Sequence, residues 1–367
     1  MLHKYLFLAS LAGADLIRPA EWGPQSGVIM AWPSIETNAY SDDGLNRATT
    51  DVSAVADAVS GFQPVTVLVE QDRYDEAQKR FKDAANVTVQ PINGYPRLDL
   101  WMRDMAPTFV HNTETKKLEG VDYNFNGWGN KYPTGSCNSL AAMYMFNKNI
   151  SRQASSLVGE GGSFEVDGEG TLLVTESSVV NDNRNKGKDR DTIEKELIRT
   201  LGLKKVIWVP GRKGLDITDT HIDGLARFIA PGKVILSRPS TVSAGDPFSE
   251  IYEEAREILS NATDASGRKL EITEVPEADL NKIGASDETL DAIKNGKKDY
   301  PSLTYVNYLL VNGGVIFPQF GDADADSNAL KVMQSLYPDR KVASVTTKEL
   351  PYLGGGIHCS TQEIPIV

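Results

Sequence analysis

The chain of 367 residues carries 38 Lys and Arg against 50 Asp and Glu, a net charge of −12, with 40% hydrophobic and 24% charged residues. This is the composition of a globular protein able to bury a core, and its acidic balance argues against nucleic acid, whose phosphates call for clustered Lys and Arg. No apolar run reaches the roughly 18 residues of a membrane helix, and 2 cysteines and 4 histidines exclude a disulfide framework and make a structural zinc site untenable.

Residues 1–14 read as a short secretory signal peptide. His3 and Lys4 form a weakly basic start, Tyr5 to Leu11 an apolar stretch, and Ala12-Gly13-Ala14 a cleavage sequence. That reading implies a secreted protein; the alternative is a cytoplasmic one with an N-terminal extension, and the lack of disulfides leans that way. Residues 15–367 are expected to form a single catalytic domain, because no linker-like spacer divides them. Sequons at Asn86, Asn149 and Asn261 are about what chance supplies.

The elements then repeat in order. A strand is expected at Val28 to Trp32, then a helix whose Val52, Val55, Ala56 and Val59 make one stripe, then a strand at Val65 to Val69. A hairpin turn near Asn112 to Lys117 opens the next unit. Gly168-Glu169-Gly170 turns into a strand at Thr171 to Val174, followed by a helix at Asp189 to Leu201, its Gly202 stop, and a strand at Lys205 to Val209. Strands at Ala226 to Ala230 and Val234 to Ser237 flank Pro231-Gly232, with a helix at Phe248 to Ser260 and a strand at Leu270 to Val275. The charged run Asn281 to Lys298 reads as a solvated excursion. Leu303 to Leu310 and Val315 to Phe317 read as strands around Asn312-Gly313-Gly314, a strong hairpin signal. A helix from Asp326, as N-cap, to Tyr337 and a strand at Val342 to Thr346 complete the last copy. Four to five ββαβ-like units suit either a closed ring, which removes exposed strand edges, or an open α/β sheet.

Five stretches set polar groups beside glycine or at a strand end: Trp101 to Pro107, Phe125 to Gly129, Gly159 to Ser163, Thr218 to Asp223, and Gly354 to Cys359. Singly, each has an ordinary structural explanation. Asp322-x-Asp324-x-Asp326 imitates a calcium loop, but Ser327 and Met333 stand where Gly and Glu are required. Together the five stretches supply the needs of guanidinium hydrolysis. Cys359 is a thiol on approachable backbone after a glycine run, and His221 an acid or base. Asp104 and Asp223 could each take two donors of a guanidinium fork, and Glu160 could orient His221 and receive a proton. Cys137 has no evident role beyond a buried thiol.

WMRD, FNGWG, EGGSFEVDGEGTLLVTE, THID, YVNYLLVNGGVIFP and GGGIHCSTQEIP, in this order, resemble the agmatine deiminase and bacterial-type (porphyromonas-type) peptidyl-arginine deiminase family of the pentein superfamily. The resemblance implies a pentein fold, a five-bladed α/β-propeller around a pseudo-fivefold axis. It implies Cys359 as nucleophile, His221 as general acid/base, Asp104 and Asp223 as guanidinium clamps and Glu160 as the remaining carboxylate, with Trp101, Trp128 and Gly356 in the substrate pocket. Cys359 would form an amidino-thioether, releasing ammonia; with agmatine the product is N-carbamoylputrescine, with no metal or organic cofactor. The implied partner is a small cationic guanidine or an arginine side chain, and family members are often oligomers, so a homo-oligomer is compatible. The chain departs from the typical agmatine deiminase pattern at Ala106, Thr220, Gly224 and Gln362-Glu363-Ile364-Pro365, none of which removes a reacting group. These changes bear on the far end of the substrate, so peptidyl-arginine and other guanidines stand beside agmatine. A non-catalytic pentein binding module is the reading of another class; it would lack the Cys, His and acid set.

Overall fold

Among the residues that the computed structural model describes, 16–34, 42–92, 98–135 and 137–367, the strands form five sheets of three or four strands each. Residues 1–14, read above as a signal peptide, lie outside the described residues. Each sheet has the same plan: an antiparallel pair, then a helix, then a strand parallel to its neighbour. In the third sheet Glu165–Val166 pairs antiparallel with Thr171–Thr175, and Arg190–Leu201 leads back to the parallel strand Lys205–Val209. The fourth and fifth sheets repeat this with Ala226–Ala230, Lys233–Arg238 and Glu271–Pro276, and with Leu309–Val311, Gly314–Gln319 and Lys341–Thr346. The second uses Thr108–Asn112, Lys117–Asp122 and Ser151–Ala154, with Leu16–Ile17 added at its edge. In the first sheet, Gln25–Trp32 and Val65–Glu70 run parallel across the helix Asp42–Ser60, and the antiparallel partner of Gln25–Trp32 is Gln362–Pro365. The sheets are mixed and none of them closes on itself as a barrel.

The inner strands, such as Thr171–Thr175, Lys233–Arg238 and Gly314–Gln319, are buried on both faces because their sheets are packed on both sides. Successive residues of one strand therefore serve different cores. Leu172 and Val174 join the core shared with the second sheet, whereas Leu173 between them joins the core shared with the fourth. Ile235 faces the fifth sheet while Val234 and Leu236 face the third. Ile316 packs with the first sheet, whose core also takes in Phe109 of the second, while Val315 and Phe317 pack toward the fourth.

Local signals set the helix ends. Asp189 accepts from Thr192 N and Asp246 from Ser249 N, each an N-cap of a kind that contributes about 1 kcal/mol. Gly202, at φ 67°, closes the first of these helices in the left-handed conformation that glycine adopts at least cost.

Two expectations are corrected. The last helix runs Ala323–Leu336 with Asp322 as its N-cap; Asp326 lies inside it and accepts from Phe320 N, Gly321 N and Tyr305 Oη instead. The apolar run from Leu303 is a strand only over Leu309–Val311. Its earlier part is buried, irregular chain, since the hydroxyl of Thr304 and the amide of Asn307 bond across to other segments.

Candidate active site

Each sheet delivers one polar group to a common centre. Asp104 lies in the short helix Met102–Met105, Glu160 ahead of the turn Gly161–Ser163, Asp223 in the turn Ile222–Gly224, Asn307 in the irregular run, and Cys359 beyond the turn Leu350–Leu353. Every one stands two to five residues ahead of the first strand of an antiparallel pair. A β-carbon added to Gly162 would come 2.6 Å from His221 Nδ1, 3.0 Å from Asp104 Oδ1 and 3.1 Å from Asp223 Oδ2. Groups from two sheets, Asp104 ahead of the second and His221 with Asp223 ahead of the fourth, thus close on Gly162 more tightly than any residue with a β-carbon would allow. Cys359 Sγ lies 3.6 Å from Asp223 Oδ2 and 3.2 Å from Asn307 Nδ2.

Each of these side chains is held from behind. Asp104 accepts from the indole N–H of Trp128 at 2.8 Å and from Gly162 N at 3.1 Å. His221 Nε2 lies 3.3 Å from Glu160 Oε2, and its Nδ1, buried and without a hydrogen-bond partner, lies 3.8 Å from Asp104 Oδ1. Glu160 is gripped by Arg184 Nε, 2.8 and 3.0 Å from its two oxygens, and Arg184 is anchored on Asp219 at 2.6 Å. Asp223 Oδ2 meets His358 Nδ1 at 2.7 Å, and His358 Nε2 meets Glu21 Oε2 at 2.8 Å. Asn307 Oδ1 receives the backbone N–H groups of both His358 and Cys359, at 3.0 and 3.3 Å.

The charges follow from this packing. Burial alone would lower the pKa of His221, but the carboxylates of Asp104 and Glu160 outweigh it and push it up to about 9, so the ring is an imidazolium at neutral pH. Burial, with Glu160 and Asp223 near, raises Asp104 to about 6 despite the opposing pull of His221. Burial first, then Asp223 and Asp104, pushes the Cys359 thiol well up, against hydrogen bonds from Gly356 and Asn307. The surrounding carboxylates thus disfavour the thiolate until a guanidinium offsets them. Glu160 is held low in spite of burial, by Arg184 and His221. Its bond to His221 Nε2 suits it to orient that ring.

His221, Asp223 and Cys359 open onto a cavity of about 140 Å³, lined also by Asn307, Thr218, Leu225, Tyr252 and Tyr300. Asp104, Glu160, Trp101, Trp128 and Gly356 are not among the residues that line it. Trp128 holds Asp104 from behind, and Trp101 covers Gly355, where a β-carbon would come 2.5 Å from its ring. Gly356 makes room for Asn307, whose Oδ1 would be 2.6 Å from a β-carbon there. Gly224 lines the cavity with open space beside it, and Thr220, at φ 71°, holds a left-handed conformation that a β-branched residue adopts only under strain. Cys137 is far from this chemistry, its thiol pushed up to about 12 by burial.

Sequence reading passed over Asn307, His358, Arg184 and Glu21. The GGGIHC stretch named His358 only as a neighbour of the thiol, and N-R-N around Arg184 resembles any polar turn. Nothing local marks Asn307, a neutral amide among apolar residues.

The sequence matches the profile of the Porphyromonas-type peptidyl-arginine deiminase family over residues 17–365. An agmatine deiminase of Medicago truncatula is 36% identical over 371 residues, covering 95% of this chain and 96% of its own. One from Pseudomonas putida is 35% identical over 358 residues, with 95% of each chain covered. Among solved structures, the agmatine deiminase of Enterococcus faecalis has the same α/β fold, with a TM-score of 0.84 at 32% identity over 96% of this chain and 97% of that one. The chain belongs to the Porphyromonas-type peptidyl-arginine deiminase family.

Proposed function

We propose that this protein is an agmatine deiminase, a hydrolase of the C–N bond of a linear amidine, working through Cys359. The observation that carries the reading is the convergence of His221 Nδ1, Asp104 Oδ1 and Asp223 Oδ2 against Gly162, with the Cys359 thiol beside Asp223. Two carboxylates so near one thiol can take the N–H edges of a planar guanidinium, and fixing it there orients its carbon to the sulfur. The agmatine deiminases that match this chain over nearly their whole length support the same assignment.

The guanidinium brings the positive charge that the thiol lacks. As it docks between Asp104 and Asp223, the Cys359 proton leaves to solvent and the thiolate attacks the guanidinium carbon, forming the C–S bond. The His221 imidazolium gives its proton to one nitrogen; the C–N bond breaks and ammonia departs, leaving an amidino-thioether. Neutral His221 then takes a proton from water as the water adds to the same carbon. The C–S bond breaks, the sulfur leaves as thiolate, and N-carbamoylputrescine is released. The thiol and the imidazolium are restored.

The architecture that gathers the five groups is, in the same reading, a five-bladed ring. The shared cores link the second sheet to the third, the third to the fourth, the fourth to the fifth and the fifth to the first, and the pairing of Gln362–Pro365 with Gln25–Trp32 joins the chain's two ends.

The test is ammonia release from agmatine, free arginine and a peptide with an internal arginine. Agmatine is expected to lead, with Cys359→Ala inactive. Ammonia release that survives Cys359→Ala removes the mechanism, and a clear preference for the peptide makes this a protein-modifying deiminase.

A further inference from the structure

Among the described residues, no Lys or Arg lines the cavity in front of Cys359, which carries carboxylates other than the guanidinium clamp. Asp216 is committed to its own loop, its Oδ1 accepting from Thr218 N, Thr218 Oγ1 and Thr220 N at 2.7, 2.6 and 3.1 Å. Asp299 stands exposed on the surface. Glu277 differs from both. It lines the cavity half-buried, and the hydrogen bond recorded for its carboxylate is from Ser237 Oγ, at 2.8 Å. Burial raises its pKa, the Ser237 hydrogen bond opposes this, and the nearby charge is a further anion, Asp246. A carboxylate so placed is one whose counter-charge is missing.

Its position is tied to the reacting centre through two short links. Ser237 Oγ is hydrogen-bonded to Thr304 Oγ1 at 2.7 Å, and Thr304 precedes Asn307, the residue bonded to the sulfur, by three positions, a chain reach of at most about 10 Å. Ser237 N also donates to Leu225 O, two residues beyond Asp223. The cavity that holds both Glu277 and the thiol also has apolar and aromatic lining, from Leu225, Tyr252, Tyr300 and Leu303. Two acidic places and apolar lining in one cavity describe the complement of a dication whose two charges sit at the ends of a short aliphatic chain.

We propose that Glu277 is the specificity-determining residue of this site, receiving the ammonium group of a substrate whose guanidinium lies between Asp104 and Asp223. The inference rests on the deiminase reading and deepens it. Glu277 selects a free terminal amine, and it repels the carboxylate that free arginine presents beyond its guanidinium.

The experiment compares agmatine with n-butylguanidine, which keeps the guanidinium and the four-carbon chain and lacks the ammonium. In Glu277→Gln, which preserves shape and the Ser237 partner, KM for agmatine is expected to rise about 10- to 100-fold with kcat held within about twofold, the worth of a hydrogen bond to a charged group. The constants for n-butylguanidine are expected to stay within about twofold, and Glu277→Asp to recover part of the agmatine KM. An equal loss on both substrates, or no change on either, overturns the assignment of Glu277 while leaving the deiminase reading intact. Wild-type protein that releases ammonia from neither compound overturns both.

Discussion

At the scale of single residues, the site is governed by who stands next to whom. Gly162 is the sharpest case, because a methyl there meets His221, Asp104 and Asp223 at once. Gly162→Ala is expected to lower kcat/KM by at least about 100-fold, since a displacement near 1 Å costs that much in a positioned reaction. Circular dichroism should show the fold retained, and unchanged turnover would mean that the guanidinium binds elsewhere. The charge states give a second outcome. One proton must leave the thiol before attack while His221 keeps its own, so kcat/KM should rise about tenfold per pH unit from about 6 to about 9. Above about 9 the curve should level, because His221 then surrenders the proton that ammonia needs; below about 6 it should steepen, because Asp104 becomes protonated and releases the guanidinium. A flat profile over that range, measured by initial rates at low agmatine, excludes a neutral resting thiol. The residues that the structure brings together, Cys359, His221, Glu160, Asp104 and Asp223, could be singled out in the sequence because their five short motifs occur in order along the chain. Asn307 and Glu277 could not. Their importance comes from partners 52 and 40 residues away in the chain, Cys359 and Ser237, and no local pattern encodes such a meeting.

At the scale of elements, loops carry the chemistry and helices hold the loops. The side chain of Asp51, buried on the helix Asp42–Ser60, accepts the backbone N–H groups of Lys348, Glu349 and Leu350 at 2.9, 2.7 and 3.0 Å. It fixes the segment that leads into Gly354 and on to Cys359. Asp51→Ala leaves three donors without their acceptor and should cost about 2–4 kcal/mol in urea unfolding; a change under about 0.5 kcal/mol would show that water replaces the carboxylate. The strands and helices were readable where period and punctuation agree, as in Arg190–Leu201 between Asp189 and Gly202. Reading failed where a second signal competed. The three aspartates Asp322, Asp324 and Asp326 are equivalent as sequence, and only the loop folded beside Phe320 and Gly321 decides which one caps the helix and which ties the loop. Likewise the apolar run from Leu303 has strand composition, but Tyr305, Val306 and Tyr308 pack in the core between the fourth and fifth sheets while Thr304 and Asn307 line the cavity.

At the scale of the whole molecule, the pairing of Gln362–Pro365 with Gln25–Trp32 bears on every other contact. The repeat of ββαβ units was visible in the sequence, but this pairing was not, because it joins the most distant parts of the described chain. Deleting residues 362–367 would expose the edge of Gln25–Trp32 and leave the fully buried Arg103 without Glu363. Loss of one partner of a buried ion pair costs about 3–5 kcal/mol, so the shortened chain should elute as aggregate in size-exclusion chromatography even though Cys359 is still present. A monodisperse, active product would show that the pairing is dispensable.

The same pairing also bears on how the protein is made. Cys359 lies 136 residues beyond Asp223, so at the ~5–20 residues per second of translation the acids and the imidazole leave the ribosome roughly ten seconds before the thiol. Until then the first sheet lacks its last strand and the guanidinium site lacks its nucleophile. On the proposed mechanism, reactivity toward guanidines is thereby withheld from every shorter nascent chain, and it arrives together with the strand Gln362–Pro365.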